Sequence, residues 1–415
     1  MHPVIAALKH HKTTVFLVAL EIALTCAIVT NALFLIGDRL AAMHMTTGVA
    51  DNELVWAQAS GLDLGRDSAA DGSAAAKAAA AAAKAAADLA ALRGIPGVES
   101  VAMSNSLPLA GSGWRMGVWT RPGDKHSALD NVFEFVGTPG VVKTLGIKLS
   151  EGRDFLPQEY EDYSPFSGQP PPTSVIVTRA LAAQLWPGED PLGKPVYLDS
   201  SGNQVAHVVG VAEHLLDPRI STVHGVERGL ILPVKAVDGG LYVLRTRPDA
   251  RASVQRAIPK VLTGVDPART ITAHIYSRTI ARYFHGDRAM IWLLLVVIGC
   301  LLAVTALGLV GLSSFWVQQR TRQIGIRRAL GATRADILRY FLAENFLIVG
   351  LGVIAGLAGA VGLNLWLMGH YELHRMPLAW LPAGAVILWL LGQLAVLAPA
   401  LRASHVPPVV ATRSV

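Results

Sequence analysis

Apolar residues gather into four long runs along this chain, at residues 13–37, 289–317, 340–368 and 381–400. Each run is long enough to cross the roughly 30 Å hydrocarbon core of a bilayer as a helix. The pattern therefore predicts an α-helical membrane protein with four transmembrane helices in a one-plus-three arrangement. Between the first and second runs the texture changes. Short β-rich runs at 54–58, 98–103, 116–120, 131–137, 174–177, 207–211, 231–234, 241–247 and 270–275 predict strands. Residues 179–185 and 252–262 predict helices, the first ended by Pro187. Alternating strands and helices with short connections predict a large α+β domain. Residues 63–72 and 160–172, rich in Gly, Asp, Ser or Pro, are expected to be loops.

One stretch, GSAAAKAAAAAAKAAADLAALRGIPG, follows neither texture. Alanine is the best helix former, so it predicts a helix, with Ser73 as N-cap and Gly94 as stop. Lys77 and Lys84 make it too polar to enter lipid, and covering one face of a sheet is the expected role.

Charge sets the expected orientation. Lys9 and Lys12 precede the first span, and Arg402 and Arg413 follow the fourth. Arg320, Arg322, Arg327, Arg328, Arg334 and Arg339 lie between the second and third, opposed by Asp336 alone, whereas the third-to-fourth connection holds only Arg375 and Glu372. Basic excess marks the cytoplasmic side, so both termini are expected inside and the large domain outside. A cleavable signal peptide fits the first span less well than an uncleaved anchor, because Glu21 interrupts its apolar stretch. The 16% charged fraction, 52% hydrophobic fraction and formal net charge of +6 do not suggest nucleic acid, since the arginines cluster beside spans. Cys26 and Cys300 both fall within spans, and no disulfide or thiol chemistry is indicated.

Several segments carry candidate chemistry. LWPGEDPLGKPV has the G-x-x-x-x-G-K spacing of a phosphate-binding loop, Gly188 to Lys194. Such a loop needs Ser or Thr next, to hold magnesium, and then a helix. Pro195 and the strand-forming Val196-Tyr197-Leu198 supply neither, so a turn is expected and this chain is not expected to hydrolyse ATP. HYELH at 370–374 lacks the H-E-x-x-H spacing and sits beside Tyr371, Arg375 and Trp380, which favours interface anchoring over metal binding. Glu21, within the first span, is a candidate intramembrane polar site, set against bonding to Thr25 or a neighbouring helix. Neither a Ser/His/Asp grouping nor an isolated carboxylate pair stands out in the external domain.

The segment RTRQIGIRRALGATRADILRYFLAE, 320–344, predicts a corner. The second span is expected to run on as a helix to Leu330, where Gly331 breaks it, and Thr333 with Asp336 forms a capping-box pattern for the next helix. Ile324, Ile326, Leu330 and Ile337 are expected to offer apolar knobs on an arginine-rich turn, suited either to docking on an acidic partner or to lying on lipid headgroups.

That corner, together with IPGVESVAMSNSLPLAG (95–111), VGTPGVVKTLGIKLSEGRDF (136–155), SVIVTRALAAQLWPGEDPLGKPV (174–196), HVVGVAEH (207–214) and PALRASHVPPVVATR (399–413), resembles the MacB/FtsX-like permeases of ABC transporters. The resemblance covers nearly the whole chain. It implies residues 1–50 as N-terminus and first helix, and 51–285 as a periplasmic core domain. Within that domain, a porter-like part at 51–135 and 235–285 would be interrupted by a subdomain at 136–234. Residues 286–415 would hold helices two to four, with a cytoplasmic elbow at 318–340 and a C-terminal tail.

The resemblance further implies an ATPase-coupling elbow of Arg320, Arg322, Gln323, Ile324, Gly325, Ile326, Arg327, Arg328, Ala329, Leu330, Gly331 and Ala332. Many relatives carry Glu where this chain has Gln323, so an ion pair there is not expected. No cofactor is expected in this chain, with ATP and magnesium belonging to a separate ABC ATPase subunit. A second permease protomer, identical or paralogous, a periplasmic adaptor and an outer-membrane channel are the other implied partners. The implied setting is the bacterial inner membrane, and the implied work is mechanotransmission for efflux of an antibiotic, peptide or similar substrate. Lipoprotein extraction, control of cell-wall hydrolases, or a non-transporting receptor or scaffold are the alternatives.

Overall fold

The structure is a computed structural model that describes residues 12–60, 74–124, 128–163, 169–220, 227–237, 239–371 and 376–405. Ser73, Lys9, Arg413, Arg375 and Glu372, to which the sequence assigned roles, lie outside the described residues. Two units emerge, one of Met1–Met43 with Asp287–Val415, the other of His44–Gly286.

In chain order, α1 (Lys12–Met43) comes first. The α+β unit follows with β1 (Leu54–Ser60), α2 (Ala74–Arg93), β2 (Val98–Ser104), β3 (Trp114–Trp119), β4 (Ala128–Gly137), α3 (Val141–Leu145) and β5 (Leu149–Gly152). It continues with β6 (Ser174–Thr178), α4 (Arg179–Leu185), β7 (Pro195–Tyr197), β8 (Val205–Ala212) and β9 (Gly229–Pro233). β10 (Leu241–Thr246), α5 (Arg251–Val265), β11 (Thr270–Ile275) and α6 (Tyr276–Tyr283) complete it. The remaining helices are α7 (His285–Gln319), α8 (Thr321–Ala329), α9 (Arg334–Tyr371) and α10 (Leu381–Ser404).

The strands join in one path, β11-β1-β10-β2-β4-β3-β7-β8-β6-β9, with β5 on β8. Its first four strands are all antiparallel, and the two β-α-β pieces β1-α2-β2 and β10-α5-β11 interleave in a split β-α-β arrangement. Strand side chains alternate between faces. Val55 and Ala57 of β1 therefore join Leu89 and Leu92 of α2 and Val254, Ile258 and Leu262 of α5, while Leu54 and Val243 meet Tyr276 on the other face. The amphipathic spacing of α5 buries those three residues, and it tolerates Pro259 within its length. Asp88 on α2 fixes this layer. Its carboxylate accepts from both terminal nitrogens of Arg269, at 2.7 and 2.8 Å, and from the Tyr242 hydroxyl at 2.6 Å.

The other strands form a second group, in which β4 runs parallel to β9 and β6 parallel to β8. Only the pairing of Ser104 with Gly137 links β2 of the first group to β4 of the second. Within this group the G-x-x-x-x-G-K segment is a turn. Gly188 and Gly193 have positive φ, Lys194 pairs with Glu189, and the Gly193 amide donates to the Val208 carbonyl at 2.8 Å. A strand, β7, follows Lys194 where a phosphate-binding loop would start a helix.

Four helical stretches are long and apolar enough to cross a membrane: Thr13–Met43, Tyr276–Gln319, Arg334–His370 and Leu378–Ser404. In the helical unit, α1, α9 and α10 pack closely. Gly352 and Gly356 of α9 let the two backbones meet: a Cβ would fall 2.8 Å from that of Ile22 at the first position and 2.5 Å from that of Cys26 at the second. Small residues at four-residue spacing are the usual means of such approach inside lipid. Polar contacts reinforce it, for Asn31 donates to the carbonyls of Ala27 and Ala360, and Asn345 to that of Gly392. α7 instead leaves a broad apolar face open, with Trp292 70% and Leu307 72% exposed.

Candidate functional site: the arginine-rich elbow

The helix entering the elbow does not run unbroken to Leu330, as the sequence pattern suggested. α7 ends at Gln319, and Arg320 turns out of helical geometry at φ −99°, ψ 6° before α8 begins. Thr321 explains the break locally, because its hydroxyl donates to the carbonyls of Val317 and Gln318 and competes with the backbone ladder. Arg320 itself swings to Glu344 on α9, its Nη1 reaching both carboxylate oxygens at 3.0 and 2.8 Å.

The far end of α8 closes as a Schellman motif. The Gly331 amide donates to the Arg328 carbonyl and the Ala332 amide to that of Arg327, both at 3.1 Å. Gly331 sits at φ +102°, a left-handed value that glycine adopts without strain. α9 then starts from a reciprocal cap, the Thr333 amide donating to Asp336 at 3.0 Å and the Asp336 amide to the Thr333 hydroxyl at 3.2 Å.

The four apolar knobs divide into two pairs. Ile324 and Ile337 are buried with Phe341, Val396, Ala400 and Ala403, and so hold the corner to α9 and α10. Ile326 and Leu330, four residues apart on the opposite side of α8, are 48% and 83% exposed. Gly325 is buried beside Ile324; Arg322, Gln323, Arg327, Ala329 and Gly331 are exposed, and Arg328 and Ala332 are half-buried. Arg327 lies over the Tyr340 ring, 4.7 Å from its centre, so its charge is held in a fixed place. The outcome is a rigid corner whose inner side is anchored and whose outer side presents an apolar pair among guanidinium groups.

Glu344 and Tyr340 act in this corner without having been singled out in the sequence. Glu344 had a readable signal, a carboxylate inside an apolar run. Glu21 lies apart from the elbow, accepting a hydrogen bond from the Thr305 hydroxyl of α7, which also meets Thr25 at 3.0 Å. Gly308 makes room there, since a Cβ would fall 3.2 Å from a Glu21 oxygen. His370 bonds the Trp366 carbonyl at 2.9 Å and stacks on that ring, while residues 372–375 of the HYELH segment are outside the described residues.

In chain order, one long apolar helix, an α+β unit and three more long apolar helices follow one another, with the capped cationic corner between α7 and α9. The chain belongs to the MacB/FtsX-like permease family: residues 16–261 match the MacB-like periplasmic core domain, and residues 295–408 match the FtsX-like permease C-terminal domain. It is 27% identical over 290 residues to the macrolide export ATP-binding/permease protein MacB of Marinobacter nauticus, covering 64% of this chain and 40% of the relative. MacB of Agrobacterium fabrum is 27% identical over 229 residues, 53% of this chain and 33% of the relative. The pyoverdine export ATP-binding/permease protein PvdT of Pseudomonas syringae pv. syringae is 37% identical over 117 residues, 27% of this chain and 17% of that one. The chain thus spans well under half the length of these curated relatives.

Proposed function

We propose that this chain is the membrane permease part of an ABC exporter, in which an ABC ATPase docks on the elbow and its hydrolysis cycle is relayed through α7 and α9 to the soluble domain. The observation that carries this reading is the exposed Ile326–Leu330 pair, ringed by arginines on a corner fixed by the Arg320–Glu344 contact. A rigid knob of that kind transmits a push, whereas a loosely held loop absorbs it. ATP and magnesium belong to the ATPase. The family's paired architecture gives the open face of α7 a second protomer as its expected partner. The relatives' names, macrolide and pyoverdine export, support efflux of a small-molecule or peptide cargo, with a periplasmic adaptor and outer-membrane channel as further partners. The setting that fits is a bacterial inner membrane with both termini in the cytoplasm.

Co-purification with the ABC ATPase encoded nearest to this chain's gene tests the reading. Wild-type chain is expected to retain the ATPase and change its hydrolysis rate. Ile326→Glu and Leu330→Glu, both on exposed positions, are expected to abolish retention while leaving the chain folded. If neither variant alters binding, or the wild type neither binds nor changes the rate, the chain is a membrane receptor or scaffold instead.

A further inference from the structure

The elbow holds a recess of its own, between α8 and α9. Ile324, Ile337 and Phe341, all buried, make its floor. Arg320, Gln323, Arg327 and Tyr340 make its walls, around ≈ 290 Å³ of atom-free space that includes the open mouth. The two guanidinium groups differ. Arg320 is neutralised by Glu344, through both carboxylate oxygens. Arg327 rests over the Tyr340 ring, and among the described residues no carboxylate lies within ion-pair distance of it.

A ring face answers a cation only in part and offers no lone pair, so the N–H donors of Arg327 remain for an oxygen acceptor. What sets Arg327 apart from an ordinary surface arginine is its place. It is held at the wall of a recess, beside a second donor, the amide of Gln323, one turn away on α8. Two neighbouring donors match the two oxygens of a carboxylate, and the apolar floor matches the methylene stem behind it.

Helical spacing says where that carboxylate comes from. At roughly 100° per residue, the Gln323–Arg327 edge of α8 lies between two others. On one side is Ile324, buried against α9 and α10, and on the other is the exposed Ile326–Leu330 pair. The recess therefore opens beside that pair, and a protein seated on the pair covers its mouth.

We propose that this recess is a slot for an acidic side chain of the ABC ATPase, whose carboxylate meets Arg327 and Gln323 while its stem lies on Ile324, Ile337 and Phe341. Charge complementarity and continuity with the Ile326–Leu330 face select this occupant. The proposal rests on the docking reading above and adds partner choice to it. The apolar pair supplies burial, and the slot admits a partner that carries a carboxylate at that place.

The full-length chain in detergent is titrated with the ABC ATPase encoded nearest to its gene, over a series of salt concentrations. Wild type is expected to bind more weakly as salt rises. Arg327→Gln is expected to bind about thirtyfold more weakly, the equivalent of ~2 kcal/mol for an interfacial charge losing its partner, and with a shallower salt dependence. Arg327→Lys, which keeps the charge, is expected to restore the salt dependence. Arg339→Gln removes an exposed arginine on the far face of α9 from Ile337, Tyr340 and Phe341, and is expected to change neither quantity. If wild type fails to bind, the docking reading falls and the slot with it. If wild type binds and Ile326→Glu abolishes binding, but Arg327→Gln alters neither affinity nor salt dependence, the slot alone is overturned. An equal loss in Arg339→Gln overturns it as well. So does an Arg327→Gln variant that keeps the ATPase but releases phosphatidylglycerol retained by wild type, which would make the recess a site for lipid phosphate. Unchanged hydrogen exchange across α8 in Arg327→Gln shows that a lost affinity is not a melted corner.

Discussion

Arg320 reaches across the elbow to Glu344 and grips both carboxylate oxygens, with only 3% of the Glu344 side chain exposed. Removing one partner of a buried pair strands the other, at a cost of about 3–5 kcal/mol. Arg320→Ala is therefore expected to loosen the corner severely, read as faster hydrogen exchange across residues 320–345. Arg320→Ala/Glu344→Ala is expected to recover much of the protection. Equal damage in single and double variants would show that the two side chains are not coupled.

Gly331 makes a second, independent test of the corner. Its φ of +102° costs a side chain about 1–2 kcal/mol, so Gly331→Ala is expected to fray the end of α8. Nothing lies within 4 Å of where the new Cβ would sit, so strain rather than collision is the cause. Exchange at the Gly331 and Ala332 amides should quicken, while the Thr333–Asp336 cap stays protected.

In the α+β unit, Asp88 carries the same logic in a drier setting. Asp88→Ala leaves Arg269 buried without its anion and is expected to cost about 3–5 kcal/mol. Tyr242→Phe removes one hydrogen bond to that carboxylate and should cost about 1–2 kcal/mol. Denaturant melts of the full chain, followed by exchange in β10, measure both.

Stability should also depend on pH through two buried carboxyls. Burial raises Glu134 to about 7, only partly offset by the hydrogen bond from Tyr163, and burial raises Asp217 to about 7 against the pull of Arg115. Their ordinary values are 4.5 and 3.8. Between those values and about 7 the folded chain holds protons that the unfolded chain has released. Their contribution is thus fully present below about pH 4 and declines as pH rises toward 7. Glu134→Gln and Asp217→Asn should each flatten this decline in melting temperature; an unchanged slope in both would refute the assignment.

Much of this architecture was legible because it rests on period and punctuation. Four apolar runs gave four membrane-length helices, and the capping pattern at Thr333 and Asp336 formed as read. α3 and β5, at five and four residues, are too short to register a period. Sheet order was hidden because β1 pairs with β10 and β11, far downstream in sequence. In the elbow, the Thr321 hydroxyl set a break that hydropathy does not record. The split between Ile324 and Ile326 was available in principle, since residues two apart on a helix cannot share a face.

The packing of α1 against α9 has a consequence for how the protein is made. Asn31 finds the Ala360 carbonyl across 329 positions of sequence, and β1 closes its sheet only with β10 and β11. The contacts therefore nest like brackets along the chain, with the β1 pairings complete before α9 has been made. α1 meets Thr305 and Gly308 of α7 before α9 exists, but its glycine-matching face stays bare until α9 emerges, a window in which insertion machinery or another copy can reach it.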